Sequence, residues 1–259
     1  LFVSKSKISC RVQNLPNFRV GGTFSAQKLE FRSVLTGQIK SVLVNFACHP
    51  VSDPPSMVGS DFPGHMRRLF KEKHGDQMHF GFLQGFSGDI RPKLIFRPSS
   101  LKDWCLELII GSRFRPSQNG DSQKIAEQII DQLESDDADR NELKFFDNIR
   151  SKREKKEIQL DNGKSHSTKF DLTFWQIGNL HFKFLSGEIL SGFSNLNTGS
   201  AYNFEVGCAN GMVGYIPSMT DCLLGGYEVD GSRSRFKISD RISRSFSKML
   251  LIKLSKGIY

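Results

Sequence analysis

Residues 42–92 read VLVNFACHPVSDPPSMVGSDFPGHMRRLFKEKHGDQMHFGFLQGFSGDIRP, and this stretch decides the fold. Residues 42–47 are a near-continuous apolar run, as in a buried strand, ending at Cys48-His49-Pro50. A second short apolar run, residues 80–84, ends in Gly85-Phe86-Ser87-Gly88-Asp89. Between them, residues 62–74 have helical spacing. Met66, Leu69 and Phe70 fall on one side, and Arg67, Arg68, Lys71 and Lys73 on the other. The result is a strand–helix–strand unit with polar residues at the carboxyl ends of both strands. Ligand sites of open α/β sheets lie there, so the chemistry is expected near His49 and Asp89.

On the amino-terminal side, residues 1–30 give short strand-like pieces with a turn at Gly21-Gly22. Residues 29–35 and 38–47 read as a hairpin across Thr36-Gly37, because two apolar runs flank a turn dipeptide. On the other side, residues 93–118 form a long loop that covers the site, with an apolar island at 104–110 that reads equally as a short core helix. Residues 121–134 are the clearest helix, with Ile125, Ile129, Ile130 and Leu133 on one face. Residues 136–166 read as a solvated, charged excursion, with strands at 143–146 and 157–160. A second hairpin, 170–175 and 180–185, turns at Gly178-Asn179 and ends in Ser186-Gly187-Glu188. Residues 204–208 and 212–216 follow as apolar pieces. Residues 238–254 close the pattern as a basic amphipathic helix, with packing on the domain or docking on a membrane surface both open. The fold class is α/β: a mixed sheet core flanked by helices, with long loops over the carboxyl ends of the strands.

At 259 residues the chain can bury a large core as one domain. No apolar run reaches the roughly 18–20 residues that span a bilayer. The start, LFVSKSKISC, has neither an initiator Met nor the order of a signal peptide, and reads as beginning part-way into a longer protein. Five cysteines at irregular spacing make neither a CxxC zinc pair nor a disulfide framework. They favour a reducing, cytoplasmic setting. The net charge of +9 is spread along the chain and suits an anionic partner such as a membrane surface. No zinc-knuckle, RNA-recognition or helix-turn-helix pattern supports nucleic acid.

Three strand ends each present a metal-capable residue: His49 after NFAC, Glu188 after FLSG and Tyr215 in GYIP. Imidazole and carboxylate are ordinary zinc ligands, and phenolate a less common one. In order, NFACHP, SDFPGHMRRLF, LQGFSGDIRP, SGE at 186–188 and GYIPSMTDCLLGGYE resemble the motifs of the neutral, non-lysosomal ceramidases and their bacterial stand-alone relatives. The resemblance runs from about Phe31 onward, apart from the charged middle. It implies that His49, Glu188 and Tyr215 hold Zn²⁺, and that Tyr227 polarises or positions the substrate carbonyl. It also implies one ceramidase-like catalytic domain over residues 1–259, incomplete at its amino-terminal side and without a C-terminal immunoglobulin-like domain.

The chain departs from the family at two site positions. The 48 residues before His49 hold no His, where the family has a further zinc ligand upstream. Arg91 stands where the ceramidases have the serine proposed as nucleophile, with Ser87 nearby but displaced. What survives is metal-activated water attacking an amide carbonyl in a ceramide-like lipid or acylated glycan. Arg91 either supports the oxyanion or binds an anionic part of the substrate. Asp89 either orients a ligand or the water, or caps its own loop. The rival expectation is a non-catalytic relative that binds an anionic lipid or glycan.

Overall fold

The described residues of the computed structural model are 2–12, 22–94, 96, 98–110, 115–135, 141–142, 148–194 and 202–256. The sheet that carries the first strand–helix–strand unit starts from β1 (Phe2–Val12) and β2 (Gly22–Arg32), which pair antiparallel. Strand β3 (Ile39–Phe46) returns antiparallel to β2. Helix α1 (Asp61–His74) then crosses over to β4 (His79–Gln84), which lies parallel to β3. The short β5 (Ile90–Arg91) adds to the far edge of β1, giving the order β4-β3-β2-β1-β5. After α2 (Leu101–Ile110) and α3 (Asp121–Ser135), β6 (Asn141–Glu142) pairs with β1.

A second sheet follows. Strands β7 (Ile149–Lys156), β8 (Phe170–Ile177) and β9 (Leu180–Leu185) run antiparallel in sequence. After β10 (Glu188–Ile189), strand β11 (Tyr202–Val206) lies parallel to β9. Strand β12 (Tyr215–Ile216) pairs in parallel with β10. Two helices close the chain, α4 (Met219–Leu224) and α5 (Arg244–Lys256).

Alternation along the strands makes the layers. In β3, Val42, Val44 and Phe46 bury against Phe62, Met66 and Phe70 of α1 and against Ala126, Ile129 and Leu133 of α3. Leu43, on the other face, joins Leu29, Leu180, Phe182 and Phe204 between the two sheets. The outer face of the second sheet buries Phe170, Leu172 and Phe174 against Phe246, Leu250 and Leu254 of α5. Helices therefore cover the outer faces of two stacked sheets. The sheets are tied together where β3, β4 and β11 end. There Asn45 Nδ2 donates to Leu83 O (3.1 Å) and Glu205 O (3.0 Å), and Gly207 N donates to Gln84 O (2.9 Å).

The expected α/β class holds, as do both hairpins, α1 and α3. Several expectations change. Residues 2–12 and 22–32 are two long paired strands, not short pieces; the turn at Gly21-Gly22 lies partly outside the described residues. The island at 104–110 belongs to helix α2, on which Trp104 and Leu108 are exposed. The strand expected at 143–146 lies outside the described residues, and in place of one at 157–160 only isolated bridges form at Gln159 and Leu160. The basic run 150–156 is instead strand β7. The last helix starts at Arg244, and its apolar face is buried in the domain, not free for a membrane.

Strand β7 is held to α5 by Glu154, which pairs with Lys253 (2.8 Å), Lys156 (2.9 Å) and Lys152 (3.1 Å). Hydrogen bonds from Lys253 and Lys156 hold the Glu154 carboxyl down at about 2, against an ordinary 4.5. A lowered folded-state value means the contribution is present above pH 4.5 and is lost as pH falls toward 2. Glu154→Gln is expected to flatten this part of the acid-unfolding curve and to cost about 1 kcal/mol at neutral pH, because the lysines are solvent-screened. Urea melts at several pH values check both.

Candidate active site

The loop after β3 is fixed before it reaches His49. Gln84 Nε2 donates to Cys48 O (2.9 Å), and His49 N donates to Ile90 O (3.0 Å). Beyond Pro50, the Asp61 carboxylate at the start of α1 accepts from the backbone of Ser52 and Asp53, each at 2.7 Å. An anion at a helix amino terminus is favourable there. His49 Nδ1 lies 3.2 Å from Ile90 O. A carbonyl can only accept, so Nδ1 carries the proton and the remaining ring nitrogen, Nε2, points away from the backbone.

That nitrogen lies 2.7 Å from Glu188 Oε2. Glu188 reaches it from β10, which begins after Gly187. Gly187 has φ +91°, and a Cβ there would sit 2.6 Å from Gly214 O, so the tight passage requires glycine. Glu188 N then donates to Gly214 O (2.8 Å), and the parallel bridge sets Glu188 opposite Tyr215. The Tyr215 phenol lies beside the Glu188 carboxylate. Burial first, and that carboxylate second, push its ionisation well above the ordinary tyrosine range. Tyr227 packs edge-on against Tyr215, with ring centres 6.0 Å apart. It opens a π-helical turn, Tyr227–Gly231, held by Arg241 on Asp230 at 2.6 and 2.9 Å.

The fold thus brings His49, Glu188, Tyr215 and Tyr227 together from four separate segments. Asp89 sits behind them, buried, with its oxygens accepting from Ser191 N and Ser191 Oγ at 2.7 Å each. That ties the Gly-Asp loop to the turn after Glu188. Burial pushes the Asp89 carboxyl up, against the pull of the Ser191 bonds. Arg91 lines a cavity of about 490 Å³ together with Pro50, Val51, Met57, Pro92 and Leu94. The Arg91 charge acts on the buried Glu228, whose carboxyl is raised by burial and then, more weakly, by Asp89. Glu228 and Ser191 had no role in the sequence reading. Only the tertiary fold places them behind the site. Cys208 is also near Glu188, and desolvation and that carboxylate push its thiol up to about 11.

A metal can be tested against this set. Nδ1 is committed to Ile90 O, so Nε2 faces the Glu188 carboxylate at 2.7 Å, a direct hydrogen-bond distance. Among the described residues no cluster of three His, Cys, Asp or Glu side chains could hold a metal, and the further oxygen beside this pair is the Tyr215 phenol. Imidazole, carboxylate and phenolate are donors zinc accepts, and three protein donors leave a position open. By donor type alone the three side chains suit zinc.

No model of a protein family matches the chain, and no curated protein matches it in sequence. Its fold has close counterparts among solved structures. One is the neutral ceramidase from Pseudomonas aeruginosa, at TM-score 0.65 and 9% identity, over 98% of this chain and 52% of that one. Another is a ceramidase complexed with C2, at TM-score 0.66 and 9% identity, over 99% and 53%. The chain spans about half the length of these proteins. At the level of fold, it is similar to the neutral ceramidases.

Proposed function

We propose that the chain is a zinc-dependent hydrolase of an N-acyl amide bond in a lipid or acylated glycan. The convergence of His49 Nε2, Glu188 and the Tyr215 phenol beside Tyr227 carries this reading. The solved structures of similar fold are ceramidases, which supports an amide in a lipid as the substrate class. His49, Glu188 and Tyr215 would hold the ion, with His49 oriented by Ile90 O. Zinc bound there supplies a Lewis acid and a water acidified to a pKa of about 7.

The remaining roles belong to the chain's own groups. Tyr227 is 36% exposed and next to Tyr215, so its hydroxyl is free to donate to an acyl oxygen. Asp89 is a positioning residue, because both its oxygens are taken by Ser191. Arg91 makes no side-chain hydrogen bond or ion pair among the described residues. In its cavity it would bind an anionic part of the substrate bidentately. The same arginine favours a second reading: a binding protein for an anionic lipid or glycan that no longer turns over.

The test is hydrolysis of ceramide and of a phosphorylated N-acyl analogue by the zinc-loaded chain. Turnover is expected, with Glu188→Ala lowering kcat/KM by about a thousandfold or more. Arg91→Ala should raise KM for the phosphorylated analogue alone. Binding of the analogue without turnover would contradict the hydrolase and favour the second reading.

A further inference from the structure

The two sheets are tied together at the β3–β4–β11 edge but separate toward β2 and β8. A cleft of about 720 Å³ opens there, lined by Leu29, Phe31, Leu43, Trp175, Ile177 and Phe182 among others. Among the described residues Arg32 is the only charged one lining it. The turn between β2 and β3 projects at its mouth. Val34 lines the cleft and is 101% exposed; its neighbour Leu35 is 96% exposed. Phe31 and Trp175 are each nearly half exposed on facing sheets, and Ile149, opposite Ile177 in the strand register, is 72% exposed. Single exposed aliphatic residues need no explanation, but a continuous apolar rim running into an apolar cleft marks an interaction surface.

Charge identifies the occupant. Arg32 lies at the end of β2 opposite Ile39, and exposed Lys40 follows it on β3. Exposed Arg150 flanks Ile149 on the other sheet, opposite Gln176. Glu30, which pairs with Arg32, is itself buried. Both banks of the apolar mouth are therefore cationic. A second copy docking by a twofold axis would set these cations against their own equivalents. An anionic lipid surface would neutralise them, take up the two aliphatic side chains of the tip, and seat the Trp175 indole at the headgroup level, where tryptophan partitions.

We propose that this end of the molecule, with Val34 and Leu35 at its tip, docks on anionic bilayers. The surface lies at the amino-terminal ends of β3 and β9, whereas His49 and Glu188 follow their carboxyl ends. Docking here is thus independent of the hydrolase reading.

Flotation with phosphatidylcholine vesicles, with and without phosphatidylserine, tests it. The chain should float with the anionic vesicles, and less so as salt rises. Val34→Ser with Leu35→Ser should weaken partition about tenfold or more, by removing the inserted apolar surface. Both positions are fully exposed in a turn, so an unchanged melting temperature should confirm that the double variant folds. In a Trp104→Phe background Trp175 is the sole tryptophan, and its emission should shift to the blue on anionic vesicles but not on neutral ones. Failure to float with anionic vesicles, or equal flotation of the double variant, would overturn the proposal. So would a concentration-dependent dimer abolished by the same double variant, which would assign the cleft to self-association.

Discussion

Phe246→Ala is expected to lower the unfolding free energy by about 3–5 kcal/mol, a large share of the 5–15 kcal/mol typical of a domain. Phe246 is 1% exposed and packs edge-to-face on Phe170, which is fully buried, with ring centres 5.5 Å apart. The pair joins α5 to the outer face of β8. Around it, Leu172, Phe174, Leu250 and Leu254 leave no route for water to fill the space, so a cavity would persist. The expected loss is therefore the transfer of the ring plus the cavity it leaves. Phe246→Leu keeps much of the volume and should cost clearly less. Denaturant melts of the two variants check this. Equal and small losses would mean that α5 is not the outer layer of the second sheet.

Much of the fold was legible because its signals are local. The run at 42–47, the second at 80–84 and the helix between them gave β3, α1 and β4. The dipeptides Thr36-Gly37 and Gly178-Asn179 gave both hairpins. Strand β7 was not legible: IRSKREKK has no apolar alternation, because it is an edge strand. It holds its place by main-chain pairing with β8 and by charge pairs, Arg153 with Asp171 and Glu154 with Lys253. Those partners are distant in sequence. The start of α5 was misplaced for a related reason. Ile238 and Ile242 share the core cluster with the helix, so they extend its apolar pattern without belonging to it.

The candidate site divides in the same way. That His49 and Glu188 follow strands could be read from hydrophobic runs that end in short polar residues. That they face one another could not, because 139 residues separate them and the juxtaposition depends on the stacking of two sheets. The two-residue bridge that sets Glu188 opposite Tyr215 is too short to leave a pattern. Asp89 had two open roles in the sequence, and its bonds to Ser191 depend on a partner 102 residues away. Glu228 lies in a segment with no apolar periodicity, and its burial behind the site follows only from the π-helical turn.

The second large effect concerns the metal. His49 and Glu188 supply two of the three proposed donors, and Tyr215 alone cannot retain the ion, since a single protein donor does not hold zinc. Replacing both His49 and Glu188 with alanine removes the imidazole and the carboxylate, and should abolish zinc binding. Neither side chain is fully buried (19% and 14% exposed), so the double variant should still fold, which circular dichroism can verify. Elemental analysis of the wild type and this variant, both incubated with zinc and desalted, is the most direct measurement. The account predicts about one zinc per chain in the wild type and none in the double variant. A wild-type chain that retains no zinc, or a double variant that retains as much, would contradict it.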